Sequence, residues 1–515
     1  MLLPTRFQPL RWILRSLLVS LMICTPLRAA ERLEVRLDGL HLPVDLLELE
    51  AWSTDPTALS SDLRAWLDLL SPAGRFQLLR LLKLPVLREH SFAQQFLGSW
   101  AGRRALQGLD DLISSEQGGS GGLLHHTLQR LMGQQGQVTL LELLRAVPTQ
   151  SLVIDLDGGL ALATGWQQQL LRQREAMAAL RMLPLLPVSS VAERALVPIA
   201  APVQRMFSVA HRPEPLRLQI WRGPSRAWVM LTPGLGGSAE QLAWLAEGLH
   251  QSGWSVLLMD HPGSDDQAVR DLLEGRRPPP GADTLPGRVK DLQAVVAAVE
   301  RGALPRLGDE VVLMGHSLGG LTSLLAAGLR PEPGLARRCE RALDDLPLAN
   351  LSWLLQCQLV DVPLTEPTKL AQPIHAVVAF NGFGSLLWPH RGLQPLHAPL
   401  LLVGGSLDLI TPPIREQLHL FLPWARAESR FVLLDGGSHF SPVRLASNDE
   451  ALFQLGEEFV GVEPLRVQSI TLTLTSEFLA AGATGINPQR RQFGGVTAYV
   501  LNRHHAKAWQ RSFKN

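Results

Sequence analysis

The sequence has neither a surplus of one charge sign nor a cluster of metal-binding side chains. Its 48 Lys and Arg residues nearly balance its 47 Asp and Glu residues, which gives a formal net charge of +1. A polyanionic partner is therefore not indicated, and no basic run interleaved with aromatic residues suggests nucleic-acid binding. Cys, His and carboxylate residues nowhere take the spacing of metal ligands, so we expect no metal and no nucleic acid as partner.

The amino terminus lacks an apolar run long enough to span a bilayer comfortably. Three arginines, Arg6, Arg11 and Arg15, precede a short apolar stretch at 16–24, and the small pair Ala29–Ala30 follows it. This is the layout of a secretory signal peptide. The residues just before the two alanines are not the small ones that cleavage prefers, so an uncleaved membrane anchor is the alternative. Both forms predict an exported protein, located in the periplasm, the thylakoid lumen or outside the cell.

Cysteine is scarce, with three residues in the whole chain. Cys24 lies in the apolar stretch, so Cys339 and Cys357 remain if that stretch is removed. In an oxidising compartment these two residues can form a disulfide. Two buried thiols explain the same residues equally well, and the sequence leaves both interpretations open.

At 515 residues the chain is too long for one ordinary domain. Amphipathic helical segments dominate its first part, with short strands predicted at Glu34–Asp38 and Ser151–Asp155. A proline-rich connection follows at Pro184–Val203, and from Leu216 short apolar strands alternate with helices. We therefore divide the chain into a signal peptide or anchor at 1–30, a mainly helical domain at 31–156, a helix and linker at 157–210, an α/β domain at 211–465 with an insertion at 330–373, and a helical carboxyl-terminal extension at 466–515.

The alternation in the α/β part predicts a mostly parallel, doubly wound sheet. Crossovers in such a sheet are right-handed, and sites form at the carboxyl ends of the strands. The glycine-rich segments that directly follow several strands are therefore the candidates for a functional site. The predicted strands are Leu216–Trp221, Trp228–Thr232, Ser255–Asp260, Glu310–Met314, Ala376–Phe380, Leu400–Val403 and Phe431–Leu434.

The segment from Gly315 to Gly319 has the pattern of a nucleophile elbow. A buried strand precedes it and a helix follows, so Ser317 is predicted to occupy a strained turn that exposes its hydroxyl at the strand end. Gly315 and Gly319 are needed because a Cβ at either position would collide with the neighbouring strand or helix. The N–H of Leu318, in the first turn of the helix, would favour a developing oxyanion in the same space.

A second glycine-rich loop, Pro233–Ser238, directly follows a predicted strand. It lacks the lysine of a phosphate-binding loop and the GxGxxG pattern of a dinucleotide loop. A turn that directs a backbone N–H toward the elbow fits better. We predict that the N–H of Leu235 completes an oxyanion hole with that of Leu318, and a plain strand-to-helix turn is the alternative.

Two further strand ends carry an acid and a histidine. Asp408 lies in the glycine-rich turn 404–413, and His439 lies on the glycine loop 434–440. His439 is predicted to take the proton of Ser317 while its other nitrogen donates to Asp408. Along the chain the order is nucleophile, acid and histidine, each after its own strand, as in catalytic triads of this kind. A helix cap is the alternative for the aspartate.

Three other residues surround this predicted triad. His316 precedes the nucleophile and is predicted to turn away from it and pack beneath the site. Asp435 could serve as the acid, although a structural turn is the better interpretation because it lies so close to His439 along the chain. His261 follows another strand and is predicted to line the cleft.

These motifs resemble the α/β-hydrolase superfamily over about Leu216 to Val460. The segments 233–238 and 260–264 resemble the branch of dienelactone hydrolases and platelet-activating-factor acetylhydrolases, although dienelactone hydrolases use cysteine where this chain has Ser317. The region 31–156 resembles the DUF1400 domain that is fused to such hydrolases in cyanobacteria. The resemblance implies hydrolysis of an ester or related acyl compound through a covalent acyl-enzyme, without a cofactor.

The insertion at 330–373 is longer than a plain crossover requires. In the superfamily such an insertion commonly forms a lid, and the apolar residues around Trp353 predict an acyl-binding wall. A surface excursion is the alternative. The apolar fraction of 46% allows a lipid-like ester as substrate and association with a membrane surface. A catalytically idle scaffold and an acyltransferase with the same triad are the alternative functions, and no oligomeric state is indicated.

Overall fold

The computed structural model describes residues 30–57, 61–68, 71–83, 85–88, 112–115, 123–132, 134, 137–187, 201–273, 281–344, 350–364, 369–394, 396–423, 426–444, 464–482 and 486–512. They form two units, of which the first comprises described residues up to Val86 and within Leu109–Gly159, and the second comprises Leu87, Arg88 and the described residues from Leu160 onward. The predicted signal segment, a helix expected at 92–100 and most of the proline-rich connection lie outside the described residues. Within those ranges, no helix combines the length and apolar character that a membrane span needs.

The first unit contains a mixed sheet as well as the predicted helices. Its elements are β1 (Arg32–Leu37), β2 (Leu40–Asp45), β3 (Pro85–Arg88), β4 (Ile113–Ser115), β5 (Gln137–Thr139), β6 (Ser151–Asp155), α1 (Leu46–Thr54), α2 (Ser61–Leu67), α3 (Pro72–Lys83), α4 (Leu123–Met132) and α5 (Leu140–Ala146). Strand β1 pairs antiparallel with β2 and parallel with β6, which in turn borders β4. Asp45 caps α1 by accepting the N–H groups of Leu47 and Glu48. The sheet was predicted only in part, through β1 and β6.

One eleven-stranded sheet organises the second unit. Its strands are β7 (Leu185–Pro187), β8 (Val203–Phe207), β9 (Leu216–Trp221), β10 (Ala227–Thr232), β11 (Ser255–Met259), β12 (Glu310–His316), β13 (Ile374–Phe380), β14 (Leu400–Gly405), β15 (Arg430–Leu434), β16 (Gln489–Phe493) and β17 (Val496–Leu501). They lie in the order β7-β16-β17-β15-β14-β13-β12-β10-β11-β9-β8. The central strands from β15 to β11 run parallel, and antiparallel pairs flank them. Each strand predicted from the sequence is present, with ends shifted by at most two residues.

Helices cover both faces of this sheet. They are α6 (Leu156–Leu180), α7 (Ala243–Gln251), α8 (Asp266–Leu273), α9 (Leu285–Glu300), α10 (Leu318–Ala326), α11 (Leu335–Asp344), α12 (Ser352–Gln358), α13 (His419–Phe421), α14 (Pro464–Ala481) and α15 (Arg503–Ser512), with short 3₁₀ turns at Ala239–Leu242 and Ala282–Thr284 and a π turn at Ile414–Leu418. Side chains alternate between the two cores, since Trp228 and Met230 pack with α9 and α10 whereas Val229 and Leu231 pack with α7 and α14. The strand ends between these layers carry the candidate site.

The carboxyl-terminal part corrects one expectation. Helix α14 contains the predicted helical segment, but the extension is not wholly helical, because β16 and β17 form a hairpin that joins the sheet beside β15. Gly494 and Gly495 make its two-residue turn with positive φ angles of 54° and 88°, the geometry that Gly-Gly turns favour. The predicted linker likewise begins and ends in strands, since β7 and β8 lie at the two edges of the sheet.

Candidate active site

Ser317 occupies a tight, strained turn between β12 and α10. Its backbone has φ 52° and ψ −117°, a conformation that side chains other than glycine rarely adopt. A Cβ at Gly315 would lie 2.3 Å from the carbonyl carbon of Gly319, and one at Gly319 would lie 2.4 Å from the carbonyl oxygen of Thr232. Both glycines are therefore required by close backbone approach, as predicted, and the elbow geometry is confirmed.

Asp408 and His439 are brought together from the ends of β14 and β15. Their loops interlock, because the N–H of Leu407 donates to the carbonyl of Gly437 at 2.8 Å. Nδ1 of His439 lies 3.0 Å from Oδ2 of Asp408, and both side chains are buried. The alternative acid, Asp435, instead accepts a hydrogen bond from the Ser406 hydroxyl at 3.4 Å.

The carboxylate of Asp408 is saturated with hydrogen bonds. Oδ1 accepts the N–H groups of Ile410 at 2.9 Å and Thr411 at 2.7 Å. Oδ2 accepts the Asn381 amide at 2.6 Å and the Thr411 hydroxyl at 2.5 Å, besides the imidazole. Burial on its own acts to raise the pKa of Asp408, but the charge and hydrogen bond of His439 and the bonds from Thr411 outweigh it, so the pKa lies below its usual value.

His316, the residue before Ser317, packs against His439. His316 is buried beneath the site as predicted, where its Nε2 donates to the carbonyl of His439 at 2.9 Å and the two rings lie 4.9 Å apart. Burial, reinforced by the nearby His439, lowers the pKa of His316 to about 3, so its ring stays neutral. Among the described residues no hydrogen bond joins the Ser317 hydroxyl to His439, and such bonds commonly tighten only when substrate binds.

Two backbone N–H groups beside the elbow have no acceptor in the part of the protein that the structure describes. Leu318 begins α10, so its N–H has no partner within the helix. Leu235 follows Gly234 in a turn closed by the N–H of Gly237 on the carbonyl of Gly234 at 3.4 Å. Across the described ranges neither N–H donates to another protein group. Both groups are therefore available to an oxygen atom bound near Ser317.

His261 does not form an open cleft wall. It is fully buried, and its Nδ1 lies 2.7 Å from Oδ2 of Asp291. His211 and Arg212 contact the same carboxylate, at 2.7 Å and 2.6 Å. Burial, then the charge of Arg288, lowers the pKa of His261 to about 4 despite this pairing. The structure thus places His261 in a buried polar cluster, which corrects the expectation that it lines the cleft.

The insertion at 330–373 is anchored beside the acid. The N–H of Ser352 donates to the carbonyl of Ile410 at 2.9 Å, two residues after Asp408. Trp353 donates through Nε1 to the Ser385 hydroxyl at 3.1 Å, and its ring packs 5.7 Å from the guanidinium carbon of Arg415. The described part of this segment therefore lies at the carboxyl edge of the sheet.

The buried carboxylate of Glu416 is the main anchor of the insertion. It accepts hydrogen bonds from the Asn350 amide at 2.6 Å, the Ser352 hydroxyl at 3.0 Å and the Gln356 amide at 3.2 Å. It also accepts the N–H groups of Gly384 and Ser385, in the loop after β13. In addition, α11 and α12 are joined by a disulfide between Cys339 and Cys357, which decides between the two interpretations of these cysteines.

Sequence reasoning missed three of these residues, namely Asn381, Thr411 and Glu416. Asn381 directly follows the apolar strand β13, and a polar residue in that place is a usable signal because sites form at strand ends. Thr411 lies in the same turn as Asp408. Its position is a usable signal as well, because threonine hydroxyls in turns commonly bond to nearby groups. Glu416 gave no signal, since its partners are distant in sequence. No group of three or more metal-ligating side chains occurs in the described ranges.

The sheet, the serine elbow and the acid and histidine loops together define an α/β-hydrolase fold. Residues 223–337, which include the elbow, match the family described as Serine aminopeptidase, S33. Residues 29–155 match the family described as Alpha/beta hydrolase of unknown function, DUF1400, so the predicted amino-terminal resemblance is confirmed. Both matches support a hydrolase of the α/β-hydrolase superfamily. Neither names the dienelactone-hydrolase branch, and no curated protein matches the sequence.

Proposed function

We propose that the protein is a serine hydrolase that cleaves carboxylic esters through an acyl-enzyme. The observation that carries the proposal is the pairing of His439 with Asp408 in the loops beside the strained Ser317 elbow. Since Nδ1 of His439 is engaged by the carboxylate, Nε2 is the nitrogen that remains for the serine proton.

In this mechanism Ser317 attacks the carbonyl carbon of the ester while its proton passes to Nε2 of His439. The N–H groups of Leu235 and Leu318 donate to the oxyanion that forms. The tetrahedral intermediate then collapses, and the alcohol leaves with the proton from His439. Water attacks the acyl-enzyme with the same imidazole as base, which releases the carboxylic acid and restores the serine. Asp408 orients the imidazole and stabilises its charged form.

A lipid-like or other apolar acyl group is the substrate that this proposal favours. Its support is the insertion at 330–373, whose buried Leu354 and Cys357 belong to a segment anchored beside Asp408. The resemblance of segments 233–238 and 260–264 to the acetylhydrolase branch points to the same class of ester. Export is part of the proposal, and the Cys339–Cys357 disulfide supports it because disulfides persist in oxidising compartments.

The direct test is hydrolysis of nitrophenyl esters with short and medium acyl chains by the purified protein. Wild type should release nitrophenol, and Ser317→Ala should reduce the rate by about a thousandfold or more. Ser323→Ala is a matched control, because Ser323 is fully buried in α10, the helix that follows Ser317. Its hydroxyl has no partner among the described residues. Full activity in the Ser317 variant would exclude the proposed nucleophile.

Peptide hydrolysis is the second candidate, favoured by the match of residues 223–337 to the serine aminopeptidase family. The same elbow and oxyanion donors can act on an amide, but the leaving amine must then be protonated. Aminoacyl nitroanilides tested beside the matching nitrophenyl esters separate the two functions. A kcat/KM for the nitroanilides that equals or exceeds that for the esters would replace the esterase assignment by a peptidase one.

A further inference from the structure

The loop that carries Leu235 lies directly against the nucleophile. A Cβ built on Gly234 would be 3.4 Å from Cβ of Ser317 and 3.1 Å from Nδ1 of His316. The backbone of residues 233–235, here called the oxyanion loop, therefore touches the elbow without an intervening side chain. Its orientation determines where the N–H of Leu235 points.

Arg288 reaches the far side of this loop from helix α9. Its side chain is completely buried. The guanidinium donates to the carbonyl of Pro233, to the carbonyl of Gly234 at 3.5 Å and to the Ser264 hydroxyl at 2.8 Å. Nε donates to the Thr322 hydroxyl at 3.1 Å, and that hydroxyl donates on to the carbonyl of Leu318 at 2.7 Å. One side chain thus holds the oxyanion loop and the first turn of α10 together.

Peptide geometry connects these contacts to the oxyanion donors. The peptide between Gly234 and Leu235 is trans, since the chain contains no cis peptide bond in its described part. In a trans peptide the carbonyl and the N–H point in opposite directions. When Arg288 holds the carbonyl of Gly234 on its own side, the N–H of Leu235 is turned to the other side, away from the guanidinium.

Arg288 donates its hydrogen bonds to neutral oxygens, although the carboxylates of Asp291 and Asp265 lie near enough to act on its charge. Within the described residues it makes no ion-pair contact, whereas Arg212 forms a two-point pair with Asp291 at 2.6 Å and 2.7 Å. A fully buried cation that donates only to carbonyls and hydroxyls carries a large desolvation cost. Its fixed fork of donors is suited to orient several backbone groups at once.

We propose that Arg288 is a positioning residue of the oxyanion hole, which holds residues 233–234 and the start of α10 so that the N–H groups of Leu235 and Leu318 converge. This inference rests on the proposed serine-hydrolase function. Arg288 acts through the backbone and does not touch the substrate. Its loss should weaken binding of the transition state more than binding of the ester itself.

The test compares Arg288→Lys with wild type in nitrophenyl ester hydrolysis and in inhibition by a trifluoromethyl ketone, which forms a tetrahedral oxyanion on the serine. Lysine keeps the charge but cannot make the same set of contacts. We expect kcat to fall by about 100- to 1000-fold, the range for a lost oxyanion donor, with KM within about threefold. The affinity for the ketone should fall in proportion to kcat/KM.

Arg212→Lys is the matched control, because Arg212 is a neighbouring arginine in the buried polar cluster around Asp291. It binds Asp291 and the carbonyl of Pro262 instead of the oxyanion loop. The substitution should lower thermal stability while leaving kcat and ketone affinity unchanged. If Arg288→Lys does not fold, the same kinetic measurements are made on Thr322→Val. This variant removes only the hydroxyl that links Arg288 to the carbonyl of Leu318. A lower kcat at unchanged KM in that variant would support the proposal.

Wild-type kcat and ketone affinity in a folded Arg288→Lys protein, or in Thr322→Val where lysine prevents folding, would overturn the positioning role. That result is distinct from failure of the proposed function, in which Ser317→Ala would retain activity or wild type would hydrolyse no ester.

Discussion

At the residue scale, the surroundings of Asp408 explain how it could orient His439. A carboxylate that accepts two backbone N–H groups, an amide, a hydroxyl and an imidazole stays ionised, in agreement with its lowered pKa. It is then a poor competitor for the imidazole proton and a good electrostatic partner for the imidazolium. Asn381 supplies the amide from a backbone with φ 49°, so this contact is maintained at some conformational cost.

Asn381→Asp should weaken the pairing of Asp408 with His439. It places a second carboxylate where the amide now lies, 2.6 Å from Oδ2 of Asp408. Two carboxylates so close must share a proton, which raises the pKa of the pair and weakens its hold on His439. We expect kcat for nitrophenyl esters to fall by about tenfold or more, with the acid limb of the pH profile displaced upward. Asn381→Ala, which adds no charge, should lose less, and unchanged kinetics in both variants would contradict this role.

The two neutral, buried histidines predict a loss of stability in acid. The pKa of His316 is lowered to about 3 and that of His261 to about 4, mainly by burial, against 6.5 ordinarily. The unfolded chain therefore binds more protons below about pH 6.5, so the free energy of unfolding should fall as the pH drops from there toward 3. Asp260 opposes this between its ordinary value of 3.8 and about 6, because burial raises its pKa.

His316→Gln tests this contribution, because the amide can donate to the carbonyl of His439 but does not titrate. Urea unfolding between pH 4 and 6 should show a pH slope smaller by about 1.4 kcal/mol per pH unit than that of wild type. An identical slope would mean that His316 is already protonated in the folded protein.

The candidate catalytic residues could be predicted because each one follows an apolar strand. Ser317, Asp408 and His439 carry strong local signals, namely flanking glycines and a strand before them. Arg288 and Glu416 carry none, because their partners lie more than 20 positions away along the chain. His261 was misplaced for the same reason. A histidine after a strand indicates a strand end, but only the position of Asp291 on α9 shows that it is buried in an ion cluster.

At the scale of elements, the insertion is a pair of short helices held by a covalent bond and by Glu416. Cys339 lies on α11 and Cys357 on α12, at a sequence separation of 18. The intervening residues 345–349 lie outside the described ranges. The apolar pattern predicted a covering segment, but the pairing of the two cysteines depends on how the helices face each other and could not be derived from spacing.

Cys339→Ser should release α11 from α12. Closing a loop of this length is worth about 3 kcal/mol in the chain-entropy model. We expect faster limited proteolysis within 330–373, together with a raised KM for medium-chain nitrophenyl esters if the insertion forms the acyl wall. Wild type treated with a reductant should behave in the same way. Equal protease resistance in both proteins would show that hydrogen bonds to Glu416 suffice to hold the insertion.

The hairpin β16–β17 shows where sequence reasoning failed at this scale. Gly494-Gly495 directly precedes the strand-forming run Val496–Leu501, and such a glycine pair is a recognised hairpin signal. The carboxyl-terminal extension was predicted to be helical instead. In the structure Arg491 pairs with Glu477 of α14 at 2.7 Å, so its charge is matched inside the fold.

At the scale of the whole molecule, the carboxyl-terminal helix α15 packs against the core of the second unit. Trp509 of α15 is buried and stacks on Phe431 of β15, with ring centroids 6.2 Å apart. Its Nε1 donates to the carbonyl of Ala176 in α6 at 2.7 Å. The carboxyl-terminal helix therefore joins α6, which precedes the predicted linker, to the same core as the central sheet.

Trp509→Ala should lower the free energy of unfolding by about 3 to 5 kcal/mol, the usual cost of removing a large buried aromatic side chain. Denaturant unfolding followed by circular dichroism measures the change. Lys507→Ala on the exposed side of the same helix is the control and should stay within about 0.5 kcal/mol of wild type. A small effect of the tryptophan variant would show that α15 contributes little to the stability of the second unit.

The central claim is that the elbow serine is an activated nucleophile, and covalent labelling tests it most directly. Wild-type protein incubated with a fluorophosphonate should gain the mass of one adduct, and peptide mapping should place that adduct on Ser317. His439→Ala should label far more slowly, because the imidazole no longer removes the serine proton. Absence of labelling in folded wild type, or a label on another residue, would contradict the account.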